Sequence, residues 1–338
     1  MSSAGFLHLS VAGKVILLGE YAVLSGAPAL VAALAPRFTL RARALDPQAH
    51  SLGHESQVGS SHGRTPHARS PLGRLMRWAQ AQGLPPVSFE LDDPYQGAGG
   101  FGASTAEFAL AYLAYERLTQ KGYENFHERG GKSSSLPLAL DSWVRPYELY
   151  RDLMSDEPIT PSGADLVGQW QGGACGLFPQ TKEVQAFELP HQGSPFLVFS
   201  ATRLVGRKVP THEHLAHLAA LGFLDQGSEL FQTLSQITLR GMNALKACDL
   251  IAFGRALDGY AQALHQAELE VPGATEDRLA LRALPHVLGV KGAGALQSDA
   301  LVVLLEHQAP NRKMIIEQAQ RRGLTLVADG IQNQKGVG

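Results

Sequence analysis

Cysteine, net charge and long apolar runs are all scarce in this sequence. Only Cys175 and Cys248 occur among its 338 residues, far apart and without metal-ligand spacing. That argues against a disulfide framework and a cysteine-bound zinc site, and suits a reducing compartment. Charged residues make up 18% and nearly cancel, leaving a net charge of −2. Such a balance gives no global attraction to nucleic acid or an anionic lipid surface, so any polyanion must be bound by a local site. No apolar run approaches the roughly 18 residues of a membrane span. Residues 1–9 lack the basic start and apolar stretch of a signal peptide. The expectation is a cytoplasmic protein without nucleic-acid or membrane partners.

Hydrophobic residues, by contrast, reach 44%. At this length a single core tends to split, so two domains sharing one interface are expected. Short apolar segments at 6–10 and 15–18 predict strands, and the apolar/basic alternation at 38–44 predicts a half-exposed one. Further strands are expected at 87–91, 196–201, 301–305 and 324–328. Apolar spacing predicts helices at 72–82, 104–121, 142–154, 225–247, 250–268, 276–284 and 311–322. Residues 125–136 read as a polar connector. A Pro/Gly turn at 189–194 marks the domain boundary, giving domains 1–190 and 191–338. Between residues 46 and 74 the composition shifts to Ser, Gly, Pro and His, with His50, His54, His62 and His67 on no periodic scaffold. That stretch reads as a flexible, solvated insertion. Strands and helices mix without strict alternation, which indicates an α+β protein.

Four segments carry chemistry. In Gly13-Lys14-Val15-Ile16-Leu17-Leu18-Gly19-Glu20-Tyr21-Ala22-Val23, an apolar run long enough to be buried has Lys14 and Glu20 at its two ends. In Gly97-Ala98-Gly99-Gly100-Phe101-Gly102-Ala103-Ser104, glycines gather bare backbone N–H groups at a helix N-terminus, where the dipole favours an anion such as a nucleotide phosphate. Ser104 with Glu107 also fits a capping box. The third segment is Pro161-Ser162-Gly163-Ala164-Asp165, followed by Gly172-Gly173. The fourth is Lys291-Gly292-Ala293-Gly294-Ala295, read as a glycine-rich turn whose small residues permit close backbone approach. Taken singly, each has a plain structural explanation: a core strand, a turn, a helix cap, a tight turn. Gly131-Lys132-Ser133 imitates the end of a P-loop, but Phe126 stands where that motif needs glycine.

In this order the four segments resemble the GHMP kinases, the superfamily of galactokinase, homoserine kinase, mevalonate kinase and phosphomevalonate kinase. The match spans Gly13 to Asp299. Gly13–Val23 looks like the mevalonate and phosphomevalonate kinase members. Gly100-Phe101-Gly102-Ala103-Ser104-Thr105 is similar to the family's G-L-G-S-S-A phosphate loop. Pro161–Asp165 resembles its P-S-G-x-D, and Gly292-Ala293-Gly294 the start of its third motif. Departures are Phe101 for Leu, Ala103 for the first Ser, and Ala295-Leu296-Gln297-Ser298 where glycines usually continue. The resemblance implies a two-domain α+β fold, with a ribosomal protein S5 domain 2-like N-terminal domain and a ferredoxin-like C-terminal domain.

It also implies ATP and Mg²⁺ as cofactors and a small-molecule hydroxy acid as acceptor. Carried over, Asp165 accepts or orients the proton of the acceptor hydroxyl, and Lys14 partners it and offsets charge on the transferred phosphoryl group. Gly99, Gly100, Gly102, Ala103, Ser104, Thr105, Gly292 and Gly294 hold the nucleotide, and Glu20, Tyr21, Ser162 and Gly163 line the acceptor site. Mg²⁺ falls to Ser104 and an acid of the helix before the third segment, Asp152 ahead of Glu148. Pro161-Ser162-Gly163 leans towards mevalonate as acceptor. Tyr21 and Pro36-Arg37-Phe38 lean towards phosphomevalonate, and Arg203, Arg207 and Lys208 would suit a carboxylate or extra phosphate. Two readings compete with a kinase: a catalytically impaired metabolite- or partner-binding protein, and a diphosphomevalonate decarboxylase relative. A homodimer is left open.

Overall fold

A computed structural model describes residues 6–45, 58–60, 66–127, 142–189, 194–201, 222, 225–332 and 334–338. His50, His54, His62, the Gly131-Lys132-Ser133 imitation, and Arg203, Arg207 and Lys208 lie outside the described residues.

The first sheet is organised around one long strand. The predicted strands at 6–10 and 15–18 are a single strand, β1 (Leu7–Leu18), paired antiparallel with β2 (Ala29–Ala44). Alternate residues of β2 enter different cores: Leu30, Ala32 and Leu34 join the large central cluster, while Ala29 and Val31 join a smaller one. This is the period-2 geometry of a strand buried on both faces. β3 (Val58–Ser60) runs parallel to β4 (Val87–Asp92), and β4 pairs with the second half of β2. β5 (Ala174–Phe178) pairs with the first half of β2, and β6 (Glu183–Phe187) with β5. Four helices accompany this sheet: α1 (Pro71–Ala81), α2 (Ala103–His127), α3 (Val144–Leu153) and α4 (Ala164–Gln171). The start of α1 corrects the expected insertion. Ser70 accepts from the Gly73 N–H and Pro71 opens the helix, a strong start signal that ends the loop by residue 70.

The second sheet is antiparallel, in the order β10-β7-β9-β8. Its strands are β7 (Phe196–Ser200), β8 (Val287–Ala293), β9 (Ala300–Leu305) and β10 (Thr325–Ala328). The helices are α5 (Glu229–Lys246), α6 (Leu250–Gln266), α7 (Pro272–Arg282) and α8 (Arg312–Arg321). Numbered within the sheet the order is 4-1-3-2, the ferredoxin-like arrangement expected from a β-α-β-β-α-β chain. Lys291–Ala293, read as a turn, end strand β8 instead. The turn follows at Ala295–Gln297. Two glycines obscured that strand. Gly289 is needed because a Cβ there would lie 2.6 Å from the Gly254 carbonyl of α6.

The sheets share a core. Phe196 and Val198 of β7 join the central cluster with Leu17 and Leu18 of β1 and Phe253 and Leu257 of α6, while Leu197 and Phe199 face Ile315 and Ala319 of α8. The last residues return to the first sheet, where Gly336 and Gly338 bond the backbone of Ala12 and Ser10. Among the described residues, no helix is long and apolar enough to cross a membrane. Cys175 is buried and Cys248 exposed, both free.

Candidate active site

β1 delivers the first side chain. Its register against β2 slips between Ala12/Arg37 and Gly13/Leu34, and such bulges re-aim the residues that follow. Gly13 has to be glycine, because a Cβ there would lie 2.0 Å from the Tyr95 hydroxyl, which donates to the Pro36 carbonyl. Lys14 follows, its side chain 7% exposed and its Nζ 2.9 Å from Asp165 Oδ2. Asp165 stands in the first turn of α4, 31% exposed, where a helix N-terminus favours an acid. The start of α4 is well determined. Gly163 precedes it at φ +76°, against the Tyr147 ring, and the Ser162 hydroxyl accepts from the Ala164 N–H.

The glycine-rich loop lies over Lys14. The Phe101 carbonyl accepts from the Lys14 N–H, and the Phe101 ring stacks on Tyr95 at 4.8 Å, so the aromatic substitution is absorbed by an aromatic neighbour. At Gly102, φ is +84° and a Cβ would meet the Lys14 and Gln169 side chains at 2.8 and 2.9 Å. α2 begins at Ala103, and the Gly102 carbonyl accepts from Ala106, so Ser104 sits inside the first turn. The expected capping box therefore does not form. Ser104 is exposed beside N–H groups that have no intrahelical partner. Thr105 points inward instead, its hydroxyl donating 2.6 Å to Gln169 Oε1. Its hydroxyl is thereby engaged inside the protein, which leaves the backbone N–H as the group Thr105 could offer a phosphate.

Gly99, Gly100 and Gly294 converge on one residue. A Cβ at each would lie 2.4, 3.1 and 2.3 Å from atoms of the buried Asp299 side chain. Gly292 is likewise held against the Gln297 carbonyl. The second and fourth segments therefore meet across Asp299. Glu20 and Tyr21 lie just past β1, both buried. Tyr21 adopts φ +62°, rare for an aromatic residue, and its hydroxyl accepts from the Leu296 N–H. Burial, helped by Glu20, pushes its pKa well above the ordinary tyrosine value.

Asp152 does not join this group. It is exposed and shares the surroundings of Lys182, as does Glu148, which bonds Lys182 at 2.7 Å. The reason is helical register. Tyr147 and Tyr150 form the inward face of α3, one against Gly163 and the other near Asp165. Glu148 and Asp152, four apart, share the outward face. Among the described residues, no group of three or more His, Cys, Asp or Glu could hold a metal.

Sequence reasoning missed Gln169. Wholly buried on α4, it donates to the Ala12 and Gly102 carbonyls at 3.0 and 3.1 Å and accepts from Thr105, tying β1, the glycine loop and α4 together. Its position four residues after Asp165, on the same helix face, was the available signal. Lys291 was quoted within the fourth segment but given no role. It is fully buried and ion-paired with Glu20 at 2.5 Å.

No protein-family model matches the sequence, and no curated protein matches it significantly. Solved structures do resemble it. A Lin0012 protein from Listeria innocua superposes with a TM-score of 0.73 at 14% identity, covering 98% of this chain and 99% of that one. Lactococcus lactis galactokinase, complexed with galactose, gives 0.72 at 13% identity, with 98% and 95% covered. Methanococcus jannaschii mevalonate kinase gives 0.66 at 12% identity, with 98% and 99% covered. At such identities the likeness speaks for the fold. The chain is folded, over nearly its whole length, as the GHMP kinases are.

Proposed function

We propose that this chain is an ATP-dependent kinase that phosphorylates the hydroxyl of a small hydroxy acid, with mevalonate as the acceptor. The observation that carries this reading is the Lys14–Asp165 pair at 2.9 Å beneath a glycine-rich loop that opens a helix. Phosphoryl transfer asks mainly for positioning and charge stabilisation, and these groups supply both. Asp165 would take the proton of the acceptor hydroxyl as its oxygen bonds the γ-phosphorus and the bridging P–O bond to ADP breaks. Lys14 would hold Asp165 in place and balance charge on the transferred group. Backbone N–H groups of Gly99–Thr105 would hold the phosphates, with Gly292 and Gly294 closing the far side. Glu20, Tyr21, Ser162 and Gly163 would border the acceptor.

The donor set fits a metal carried in with the nucleotide rather than one caged by protein, since Mg²⁺ commonly binds through phosphates and few side chains. Ser104 would hold it, and the ion would supply charge neutralisation at the phosphates. For mevalonate over phosphomevalonate speaks Arg37, whose guanidinium is engaged with Ser10 and the Lys335 and Gly336 carbonyls instead of facing the site. A coupled ADP-release assay with mevalonate, phosphomevalonate, galactose and homoserine in parallel tests the reading. Turnover with mevalonate alone supports it, turnover with another acceptor reassigns the substrate, and ATP binding without turnover favours a metabolite-binding protein. Two domains, 1–190 and 191–338, remain part of the proposal, as do a cytoplasmic location and a homodimer.

A further inference from the structure

Among the buried charges that this mechanism leaves unused, one touches a residue of the proposed acceptor site. Lys291, on β8 of the second sheet, is 0% exposed and reaches Glu20, beside the first sheet, at 2.5 Å. Its Nζ also donates to the Gly292 carbonyl and lies 5.4 Å from the Tyr260 ring centre. Glu20 is held from the other side, since the Tyr260 hydroxyl donates 2.6 Å to its backbone carbonyl. Its Oε1 is buried without a hydrogen-bond partner, so the carboxylate depends on its ion pairs. Two cations act on Glu20, Lys291 and, more weakly, Lys14. Tyr21 and Tyr260 face it as well, Glu270 adds to the field at Lys291, and Asp299 to that at Tyr21.

We infer that Lys291 is a positioning residue: by neutralising Glu20 it leaves Lys14 committed to Asp165. The argument is competitive. An unpaired carboxylate in this enclosure must either draw the next cation or take up a proton. The next cation is Lys14, whose ammonium the proposed chemistry needs 2.9 Å from Asp165. Burial already pushes the Glu20 pKa up and the Lys291 pKa down, and each group is the main offset for the other. Removing the Lys291 charge makes Glu20 a rival of Asp165 whenever Glu20 is ionised, and harmless whenever it is protonated. A loss caused by lost packing alone would ignore pH.

This inference rests on the proposed kinase reading, and the experiment separates the two. Turnover is measured from pH 6 to 8.5 for the wild type, Lys291→Met, Glu20→Gln, the double variant and Lys291→Arg, alongside urea midpoints at pH 6 and 8. At pH 8, Lys291→Met should lose turnover by at least about tenfold, and part of the loss should return towards pH 6 relative to wild type. The double variant should match Glu20→Gln at every pH, because no carboxylate is left to compete. Lys291→Arg should keep the wild-type profile shape. In urea, Lys291→Met should be weaker at pH 8 than at pH 6, as a buried acid with a raised pKa requires, and the double variant should lose that difference. A pH-independent loss that Glu20→Gln does not relieve, in protein with a native circular dichroism spectrum, would overturn the inference. If Lys291→Met does not fold, the double variant and Lys291→Arg decide. A wild type without turnover would defeat the kinase reading, while the urea midpoints would still report whether Glu20 depends on the Lys291 charge.

Discussion

At the scale of single residues, the pair Lys14–Asp165 carries the sharpest expectation. Asp165→Asn should lower turnover by roughly 10²–10⁴-fold, the usual worth of a positioned proton acceptor. ATP binding should survive, because the glycine loop is untouched. Lys14→Met should cost a similar factor, and the double variant much less than the product, since the two act as one unit. Equilibrium dialysis with ATP and a steady-state assay measure both, and turnover within threefold of wild type for Asp165→Asn would sink the mechanism. Lys14 and Asp165 could be proposed from sequence through the resemblance of their short segments to the GHMP kinase motifs, and the glycines of those segments are sterically required. Gly13 must yield to Tyr95, and Gly163 to Tyr147. Gln169 was harder to find, its one local signal being a place four residues after Asp165 on the same helix face. Its partners Ala12 and Gly102 lie 157 and 67 positions away, and no local pattern encodes such bonds. For Asp152 the spacing of its helix was legible but not which face turns inward, and the side chain is exposed near Lys182.

At the scale of an element, α2 combines a start at the glycine-rich loop with a carboxyl group in an awkward place. Burial, with a smaller contribution from Asp93, raises the Glu107 pKa from its ordinary 4.5 to about 7. The folded chain therefore holds a proton on Glu107 between those values, where the unfolded chain has released it. Stability from this group is greatest at low pH and falls as pH rises towards about 7. Glu107→Gln should flatten that part of the profile and raise the thermal midpoint at pH 8 more than at pH 5. Calorimetry of both proteins checks it, and an identical shift at the two pH values would remove Glu107 as the source. The helices were legible as elements because 3.6-residue periodicity is a local property. β8 was not, because Gly289 and Gly292 serve close approach and so hide the strand behind a turn-like composition.

At the scale of the whole molecule, the two sheets are joined by one apolar core rather than hinged across a wet cleft. Leu18 of β1 lies where a Cβ on Gly241 of α5 would be 2.3 Å from its Cδ1, and Phe253 of α6 meets Phe196 of β7 edge-on at 6.0 Å. Sequence length suggested two domains, but the extent of apolar contact between them depends on tertiary packing that periodicity does not reveal. A shared core predicts cooperative unfolding, because neither sheet can lose its partner without exposing the same buried surface. Phe253→Ala should therefore weaken both halves together, by about 3–5 kcal/mol for a fully buried aromatic. Urea titration followed by tryptophan fluorescence and by far-ultraviolet circular dichroism measures it. One transition, coincident in both signals and shifted as a whole in the variant, is the expected result. Two separated transitions, with only the later residues responding to Phe253→Ala, would mean that each sheet is stable alone, and that the Lys291–Glu20 pair bridges two bodies rather than lying inside one.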